Sequence, residues 1–187
     1  MGVVPAEKAG TGSAPGSGLF GKFDSLVTGS PNVAVMMTHA DCLAVTLCDP
    51  PTRTVGVVHA GWRGTVTDGR GAALRTMAHT FSAGPEEILA FIGPGICPEC
   101  YAVGDEVVDT WSDSMPARGD SAVSRPNGQW HFDLAQANYL QLRSAGLRDD
   151  AIERSGICTR CCGSSWFSHR GQGPTTGRFA SIIAVIE

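Results

Sequence analysis

Charged and aromatic side chains are scarce in this sequence, and long apolar runs are missing. Only 17% of the 187 residues are charged and 7% aromatic, with a net charge of −4 and no block of one sign. A basic nucleic-acid-binding face or a polybasic membrane surface is therefore disfavoured. Val33–Met37 and Ile182–Ile186 are among the longest apolar runs, and they fall far short of a membrane span of roughly 20 residues. The first 22 residues lack the apolar segment of a secretory signal, so we expect a soluble, cytoplasmic protein without a nucleic-acid or membrane partner.

Glycine, proline and cysteine are the residues that the chain does have in number. The 24 glycines and 11 prolines are too many for a helical bundle and favour elements joined by turns. A hydrophobic content of 42% over this length suffices for one domain. Seven cysteines, an odd number without an export signal, indicate thiol or metal chemistry rather than a disulfide framework.

Residue patterns predict an α/β domain with a mixed sheet. Residues 1–22 are rich in Gly, Ala and Ser and are expected to be a flexible arm, followed by one domain over residues 23–187. Helices are expected after His59, with Thr65 as a cap, over Val103–Trp111, and over Asp133–Ala145 with Asp133 as N-cap. Short β-branched and apolar runs predict strands, which are NVAVMMT (32–38), LAVTLCD (43–49), TVGVVH (54–59), EILAFIG (87–93) and RFASIIAVIE (178–187).

One pair of residues carries the chemical signal. If LAVTLCD and TVGVVH are neighbouring strands joined by a tight turn, Cys42 before the first can meet His59 at the end of the second. A thiolate and an imidazole are ligands that zinc prefers, and the same pair could instead be a nucleophile with its base. A buried thiol and a hydrogen-bonded histidine in an ordinary core is the simpler alternative.

Further polar residues near that pair favour a functional site. Asp41 precedes the cysteine, and Arg63 follows the histidine at the start of a predicted helix. Gly61 and Gly64 allow a ligand to approach the backbone closely, and Arg63 with the first N–H groups of the helix favours an anion such as phosphate. Polar groups gathered in one place are costly to bury unless they are used.

Several motifs, in order along the chain, resemble the YfiH-type family. They are THADCLAVTLCDP, VGVVHAGWRGT, IGPGICPECYAVGDEV, HFDLAQANYLQLRSAGL, ICTRC and WFSHRGQGPTTGRFASIIAVI. The resemblance extends from about Phe23 to Glu187. Members of the family carry three kinds of label, namely multicopper polyphenol oxidoreductase or laccase, peptidoglycan editing factor, and zinc-dependent purine nucleoside phosphorylase.

The resemblance implies a mixed α/β sandwich with a mononuclear zinc site. Its expected substrates are phosphate and the purine nucleosides adenosine, inosine and 5′-methylthioadenosine, and it also implies deamination of adenosine. Cys42 and His59 match the family's cysteine ligand and its second histidine ligand. As a mechanism we expect Arg63 to orient phosphate and Asp41 to move a proton. Substrate-binding candidates are Arg63, Gly64, Ser168, Arg170 and Arg178.

The family's first histidine ligand has no counterpart by motif in this sequence. It belongs to an upstream Gln-Val-His-Gly-like motif, whereas no histidine precedes His39 here. We therefore expect the chain to lack the family's N-terminal strands. Either the zinc site is incomplete or another group, with His39 the nearest candidate, completes it. In an extended segment, side chains three residues apart point to opposite faces unless a bulge intervenes.

Three other functions stay open from the sequence. They are a Cys42/His59 thiol hydrolase in peptidoglycan editing, an inactive truncated remnant, and a copper-dependent polyphenol oxidase. Five histidines cannot supply the ligands of a blue-copper site with a trinuclear cluster, although copper could bind at the Cys/His pair. The pairs Cys97/Cys100 and Cys158/Cys161 have CxxC spacing, but residues 101–157 separate them, so we do not expect one compact zinc ribbon. The oligomeric state is open.

Overall fold

Strands and helices alternate along the chain in this computed structural model, which describes residues 1–11, 18, 20–67, 69–115 and 119–186. The strands are β1 (Gly2–Val3), β2 (Ser25–Thr28), β3 (Ala34–His39), β4 (Leu43–Asp49), β5 (Thr54–Ala60), β6 (Leu89–Ile92), β7 (Val123–Ser124), β8 (His131–Phe132), β9 (Ile152–Arg154) and β10 (Phe179–Ala184). The helices are α1 (Trp62–Val66), α2 (Gly69–Phe81), α3 (Asp105–Ser114), α4 (Leu134–Ser144) and α5 (His169–Gln172).

The predicted mixed sheet is confirmed. Within the described residues, six strands hydrogen-bond in the order β1-β2-β5-β4-β6-β9. The outer pairs β1/β2 and β6/β9 are parallel, and the inner pairs are antiparallel. Strands β3 and β10 form a separate antiparallel ribbon. The fold is thus a single α/β domain.

The central sheet is buried on both faces, which makes the fold a sandwich. Side chains alternate between faces along a strand. On one face Val45, Leu47 and Val58 belong to the apolar core that includes residues of α2 and α4. On the other face Val55 and Val57 pack with residues of the β3/β10 ribbon. Strands covered on both faces contain nearly continuous apolar sequence, which is why LAVTLCD and TVGVVH were predictable.

The helix predicted after His59 is two helices, and Thr65 does not cap it. Thr65 lies fully buried inside α1, where its carbonyl accepts a 2.8 Å hydrogen bond from Gln141 Nε2. Its hydroxyl accepts a 3.2 Å hydrogen bond from Asn138 Nδ2. Two side chains of α4 therefore hold α1 in place, and the glycines around it weaken a continuous helix.

Other predicted elements are confirmed, some with shorter bounds. Asp133 caps α4, since its side chain accepts a 2.8 Å hydrogen bond from the Gln136 N–H. Gly146 follows that helix at a φ of 101°, a conformation that glycine adopts without strain. The short strands β2 and β9 were not predicted, because each has too few residues to show a period.

The expected arm at residues 1–22 is only partly described. Gly2 and Val3 pair with Leu26 and Val27 of β2. Val4 is buried among the apolar residues that pack between the central sheet and the β3/β10 ribbon. These first residues therefore belong to the sandwich rather than to an arm. Residues 12–17 and 19 lie outside the described residues, and the domain boundary at residue 23 stays a prediction. No helix in the described ranges is long and apolar enough to cross a membrane.

Candidate functional site

The turn between β3 and β4 lies beside the end of β5, and this places Cys42 near His59. Leu43 pairs with Ala60 and Ala44 with His59 across the antiparallel ladder. Cys42 stands one residue before that register, and Gly61 stands one residue after it. The predicted neighbouring strands are confirmed, and a chemical role for the pair stays a prediction.

Gly61 leaves a gap that the thiol and the imidazole share. A Cβ built on Gly61 would lie 3.0 Å from Cys42 Sγ and 3.7 Å from His59 Cε1. Both side chains thus face the same small space, and any side chain at position 61 would fill it. A residue larger than glycine at position 61 would therefore crowd the Cys42 thiol.

Asp24 contacts both the ring and the backbone of His59. Its Nδ1 lies 3.5 Å from Oδ1 of Asp24, a largely exposed carboxylate, and its backbone N–H donates to the Asp24 carbonyl at 2.8 Å. Histidines that bind metals commonly direct the second nitrogen to a carboxylate or carbonyl, which fixes the ring. Asp24 was not predictable from the sequence, because it precedes β2, a strand too short to show a periodic pattern.

His39 is held by hydrogen bonds at both ring nitrogens. Nδ1 is 2.8 Å from the Cys42 carbonyl, so it carries the proton, and Nε2 is 3.0 Å from the Ser181 hydroxyl, which donates to it. The ring is buried and packs on Phe179 at a centroid distance of 4.3 Å. Burial is the main cause that lowers the pKa of His39. A metal could bind Nε2 only after the Ser181 contact breaks, so a ligand role for His39 stays a prediction with no support from these contacts.

Asp41 joins three segments of the chain. It is 7% exposed and has a φ of 76°, a left-handed conformation that Asp tolerates better than most residues. Oδ1 accepts a 2.7 Å hydrogen bond from the Thr159 hydroxyl, and Oδ2 accepts one of 2.6 Å from the Arg170 backbone N–H. Both oxygens are engaged, which does not favour the proton transfer predicted for this residue.

The C-terminal candidates divide into two kinds. The Ser168 hydroxyl is buried and caps α5 by accepting a 2.9 Å hydrogen bond from the Gly171 N–H. Arg170 and Arg178 line a cleft of about 410 Å³ together with Asp41 and Cys42. Carbonyl contacts anchor both guanidinium groups, from Arg170 to Ala102 at 3.1 Å and from Arg178 to Thr176 at 2.8 Å.

Tyr101 also lines the cleft, and it was not predicted from the sequence. Burial is the largest cause that raises the pKa of Tyr101 to about 12, and the charges of Cys42 and Asp41 add to the rise, whereas Arg170 and Arg63 oppose it. The phenol is therefore a neutral hydrogen-bond donor at physiological pH. A lone tyrosine after CPEC gives no signal in the sequence.

Arg63 and Gly64 lie beside the cleft rather than in its lining. The Arg63 guanidinium is exposed and stacks 4.3 Å from the centroid of the Trp62 ring. A Cβ on Gly64 would meet only the His59 carbonyl, at 3.4 Å. Because α1 is a helix of only five residues, its N-terminus adds little to anion binding, and the predicted roles of both residues stay predictions.

Cys42 and His59 are of two ligand types that zinc prefers, and a catalytic zinc site has three protein ligands. Within the described residues, only Cys97, Cys100, Cys158 and Cys161 form a group of at least three metal-ligating side chains with mutually close ligand atoms. The two CxxC pairs thus meet in space, contrary to the expectation from their separation along the chain.

Burial is the main cause that raises the pKa of the Cys42 thiol, with a contribution from Asp41.

Known proteins resemble this chain over almost its full length. The family model described as multi-copper polyphenol oxidoreductase laccase matches residues 3–186. Purine nucleoside phosphorylase YlmD of Bacillus subtilis is 35% identical over 165 residues, which are 88% of this chain and 59% of the relative. Adenosine deaminase RL5, from an unknown prokaryotic organism, is 38% identical over 156 residues, 83% of this chain and 59% of the relative.

A solved structure agrees with the fold. The crystal structure of YlmD from Geobacillus stearothermophilus superposes with a TM-score of 0.94 at 32% identity, covering 100% of this chain and 69% of that one. The chain spans about three fifths of the length of these curated relatives. Because the family model matches residues 3–186 and the relatives are more than 30% identical, the chain belongs to the YfiH family, whose model is described as multi-copper polyphenol oxidoreductase laccase.

Proposed function

We propose that this chain is a metal-dependent purine nucleoside phosphorylase whose reaction takes place in the cleft beside Cys42. The observation that carries the proposal is the gap at Gly61, which Cys42 Sγ and His59 face together. Two ligand types that zinc prefers meet there, next to two arginines that can bind an anion. Relatives named purine nucleoside phosphorylase support the reaction class.

Cys42 and His59 would hold the metal. A zinc ion bound there would act as a Lewis acid that stabilises developing negative charge. The Cys42 thiol would have to lose its proton when the metal binds, because burial favours the protonated thiol in the free protein. Asp24, whose Oδ1 lies 3.5 Å from Nδ1 of His59, would help to orient the imidazole for metal binding through Nε2.

Arg170 and Arg178 would bind phosphate. Each guanidinium has five N–H donors, and the carbonyl contacts of Ala102 and Thr176 use only some of them. The carboxylate of Asp41 fixes the backbone of Arg170. Tyr101, neutral because its pKa is about 12, would donate a hydrogen bond to the nucleoside or to phosphate.

Contacts around the site favour phosphorolysis over the alternatives. Adenosine deamination, the activity in the name of one relative, was predicted to use Asp41 as proton carrier, yet both oxygens of Asp41 accept hydrogen bonds. A thiol hydrolase needs an activated thiolate, whereas the pKa of Cys42 is raised.

The test measures metal content and phosphate-dependent release of the purine base. Adenosine, inosine and 5′-methylthioadenosine are the substrates, and the purified protein is assayed with and without phosphate. Cys42→Ala and His59→Ala should each lose the zinc of the cleft, one zinc per chain, together with activity. Gly61→Ala should do the same, since its methyl group would fill the shared gap. Arg178→Met should raise the KM for phosphate more than it lowers kcat.

Gly104→Ala is the matched control for Gly61→Ala. A Cβ there meets nothing within 4 Å, and the backbone has a φ of −89°, so metal content and rate should stay at the wild-type level. Phosphorolysis that survives in Cys42→Ala would overturn the proposal. So would ammonia release or phenol oxidation without phosphorolysis, or inactivation of metal-free, active protein by iodoacetamide.

His39→Ala and Ser181→Ala test the third ligand. If His39 completes the site, the zinc of the cleft is lost in His39→Ala but retained in Ser181→Ala, where Nε2 is released from the hydroxyl. If both variants keep wild-type zinc, His39 has a structural role only.

A further inference from the structure

Four cysteines far from one another in sequence converge at one end of the sheet, outside the cleft. The Sγ atoms of Cys97, Cys100, Cys158 and Cys161 all lie within 4.8 Å of one another. The Cys100 and Cys161 sulfurs are 3.5 Å apart, and those of Cys97 and Cys161 are 4.0 Å apart. A tetrahedron with Zn–S bonds of about 2.3 Å has S–S edges of about 3.8 Å, so the cluster has the size of a tetrathiolate site.

The sheet brings the two pairs together. Beyond the parallel pair β6/β9, the two segments continue side by side. Gly95 bridges to Cys158 there, and the Thr159 N–H donates a 2.9 Å hydrogen bond to the Gly95 carbonyl. Because Cys158 forms this bridge and Cys97 lies two residues after Gly95, each CxxC turn starts from a fixed point. The long separation along the chain is thus no obstacle to a compact site.

Backbone amides are directed at one of the sulfurs. The N–H groups of Cys97 and Cys161 lie 3.3 Å and 3.4 Å from Cys158 Sγ and donate to it. Donors of this kind stabilise negative charge on sulfur. Both turns are tight, since the Cys100 N–H donates to the Cys97 carbonyl at 3.1 Å and the Cys162 N–H to the Cys158 carbonyl at 3.0 Å.

We propose that Cys97, Cys100, Cys158 and Cys161 form a structural Zn²⁺ site, separate from the Cys42/His59 pair. All seven cysteines are free thiols, and four sulfurs with no open position form a closed set of the structural type. Tetrahedral sulfur ligation selects zinc or iron, and the proposal commits to zinc. Cys162, exposed and outside the group, is not a ligand.

The site would fix two parts of the cleft wall. Tyr101 follows Cys100 directly, and Thr159, between Cys158 and Cys161, donates to Asp41. Arg160 in the same turn donates a 3.4 Å hydrogen bond from its Nη1 to the Cys100 carbonyl. Metal binding to thiolates from both turns would hold them together more strongly than these hydrogen bonds alone.

The experiment separates this site from the one at Cys42 by working in the Cys42→Ala background. Metal analysis of that variant should give one zinc per chain, and X-ray absorption should give four sulfur ligands at about 2.3 Å. Adding Cys161→Ser should abolish that zinc, whereas adding Cys162→Ser, the neighbouring control, should leave it in place.

Cobalt substitution tests the site without replacing any of the four cysteines, so the result does not depend on whether such a variant folds. Co²⁺ bound to the Cys42→Ala protein should show the intense visible and near-ultraviolet bands of a tetrathiolate, and zinc should displace it. Absence of zinc from the Cys42→Ala protein, nitrogen or oxygen among its ligands, iron in its place, or a disulfide in the intact mass would each overturn the proposal. Loss of phosphorolysis in Cys42→Ala bears only on the cleft, so the two proposals fail separately.

Discussion

Replacing Asp41 tests whether the cleft is held together by this one carboxylate. Asp41→Ala removes the acceptor for the Thr159 hydroxyl, which is fully buried, and for the Arg170 N–H. A buried donor left without a partner costs about 1–3 kcal/mol. The φ of 76° adds about 1 kcal/mol for alanine. We therefore expect Asp41→Ala to lower the free energy of unfolding by about 4 kcal/mol.

Asp41→Asn should cost only about 1–2 kcal/mol. Asparagine tolerates the same backbone conformation, and the Thr159 hydroxyl can rotate to accept from its amide while the amide oxygen accepts from Arg170. Urea unfolding at constant zinc concentration, followed by tryptophan fluorescence, measures both. With an m-value of about 2 kcal/mol/M, Asp41→Ala should shift the midpoint by about 2 M. Asp150→Asn, at an exposed pair with Arg148, is the control and should change stability by less than about 0.5 kcal/mol. Equal losses in Asp41→Ala and Asp41→Asn, or a loss below about 1 kcal/mol in Asp41→Ala, would refute the reasoning.

Three further predictions concern packing and ionisation. Gly95→Ala would place a Cβ 2.2 Å from Leu43 Cδ2 and 3.0 Å from the Asp41 carbonyl. The free energy of unfolding in urea should therefore fall by about 1–3 kcal/mol. An unchanged stability would mean that the backbone around Gly95 moves to accommodate the methyl group at little cost. Trp111→Ala, at a fully buried position, should cost about 3–5 kcal/mol in the same assay, and a smaller loss would mean that the cavity collapses. Burial raises the pKa of Tyr101 to about 12, whereas an unfolded tyrosine ionises near 10, so its contribution to stability is present below pH 10 and is lost as the pH rises through 12. The wild type should lose more stability than Tyr101→Phe between pH 9 and pH 11, and parallel losses would contradict the assignment.

Local patterns were enough for the strands and helices that carry the core. LAVTLCD matches β4 residue for residue, because a strand covered on both faces is apolar throughout. Asp133 was predictable as a cap since an N-cap depends on its own helix alone. Thr65 was not predictable, because α4, distant in sequence, decides where its carbonyl bonds.

The site was predictable only where strand register determines it. Cys42 and His59 meet because an antiparallel pair with a tight turn allows one register. The cysteine cluster depends instead on a parallel contact between Gly95 and Cys158, for which neither segment has a sequence pattern. Tyr101 and Asp24 were not predictable for a similar reason, because the segments that position them have no periodic sequence pattern.

Hydrogen bonds through Thr159 and Asp41 connect a turn of the cysteine cluster to the cleft. Thr159 lies in the turn that carries Cys158 and Cys161, and its hydroxyl donates to Asp41, the residue next to Cys42. Asp41 in turn holds the backbone of Arg170 at the cleft. Loosening the cysteine turns should therefore first release Thr159, then the Asp41 contacts, and so raise the KM for phosphate before the core of the sheet unfolds. Thr159→Val isolates this route, because it keeps all four thiols and removes only the hydroxyl. If the route is real, the variant keeps full zinc content, loses about 1–2 kcal/mol of stability and has a raised KM for phosphate. If its KM is unchanged while its stability falls, the cysteine cluster serves the fold alone.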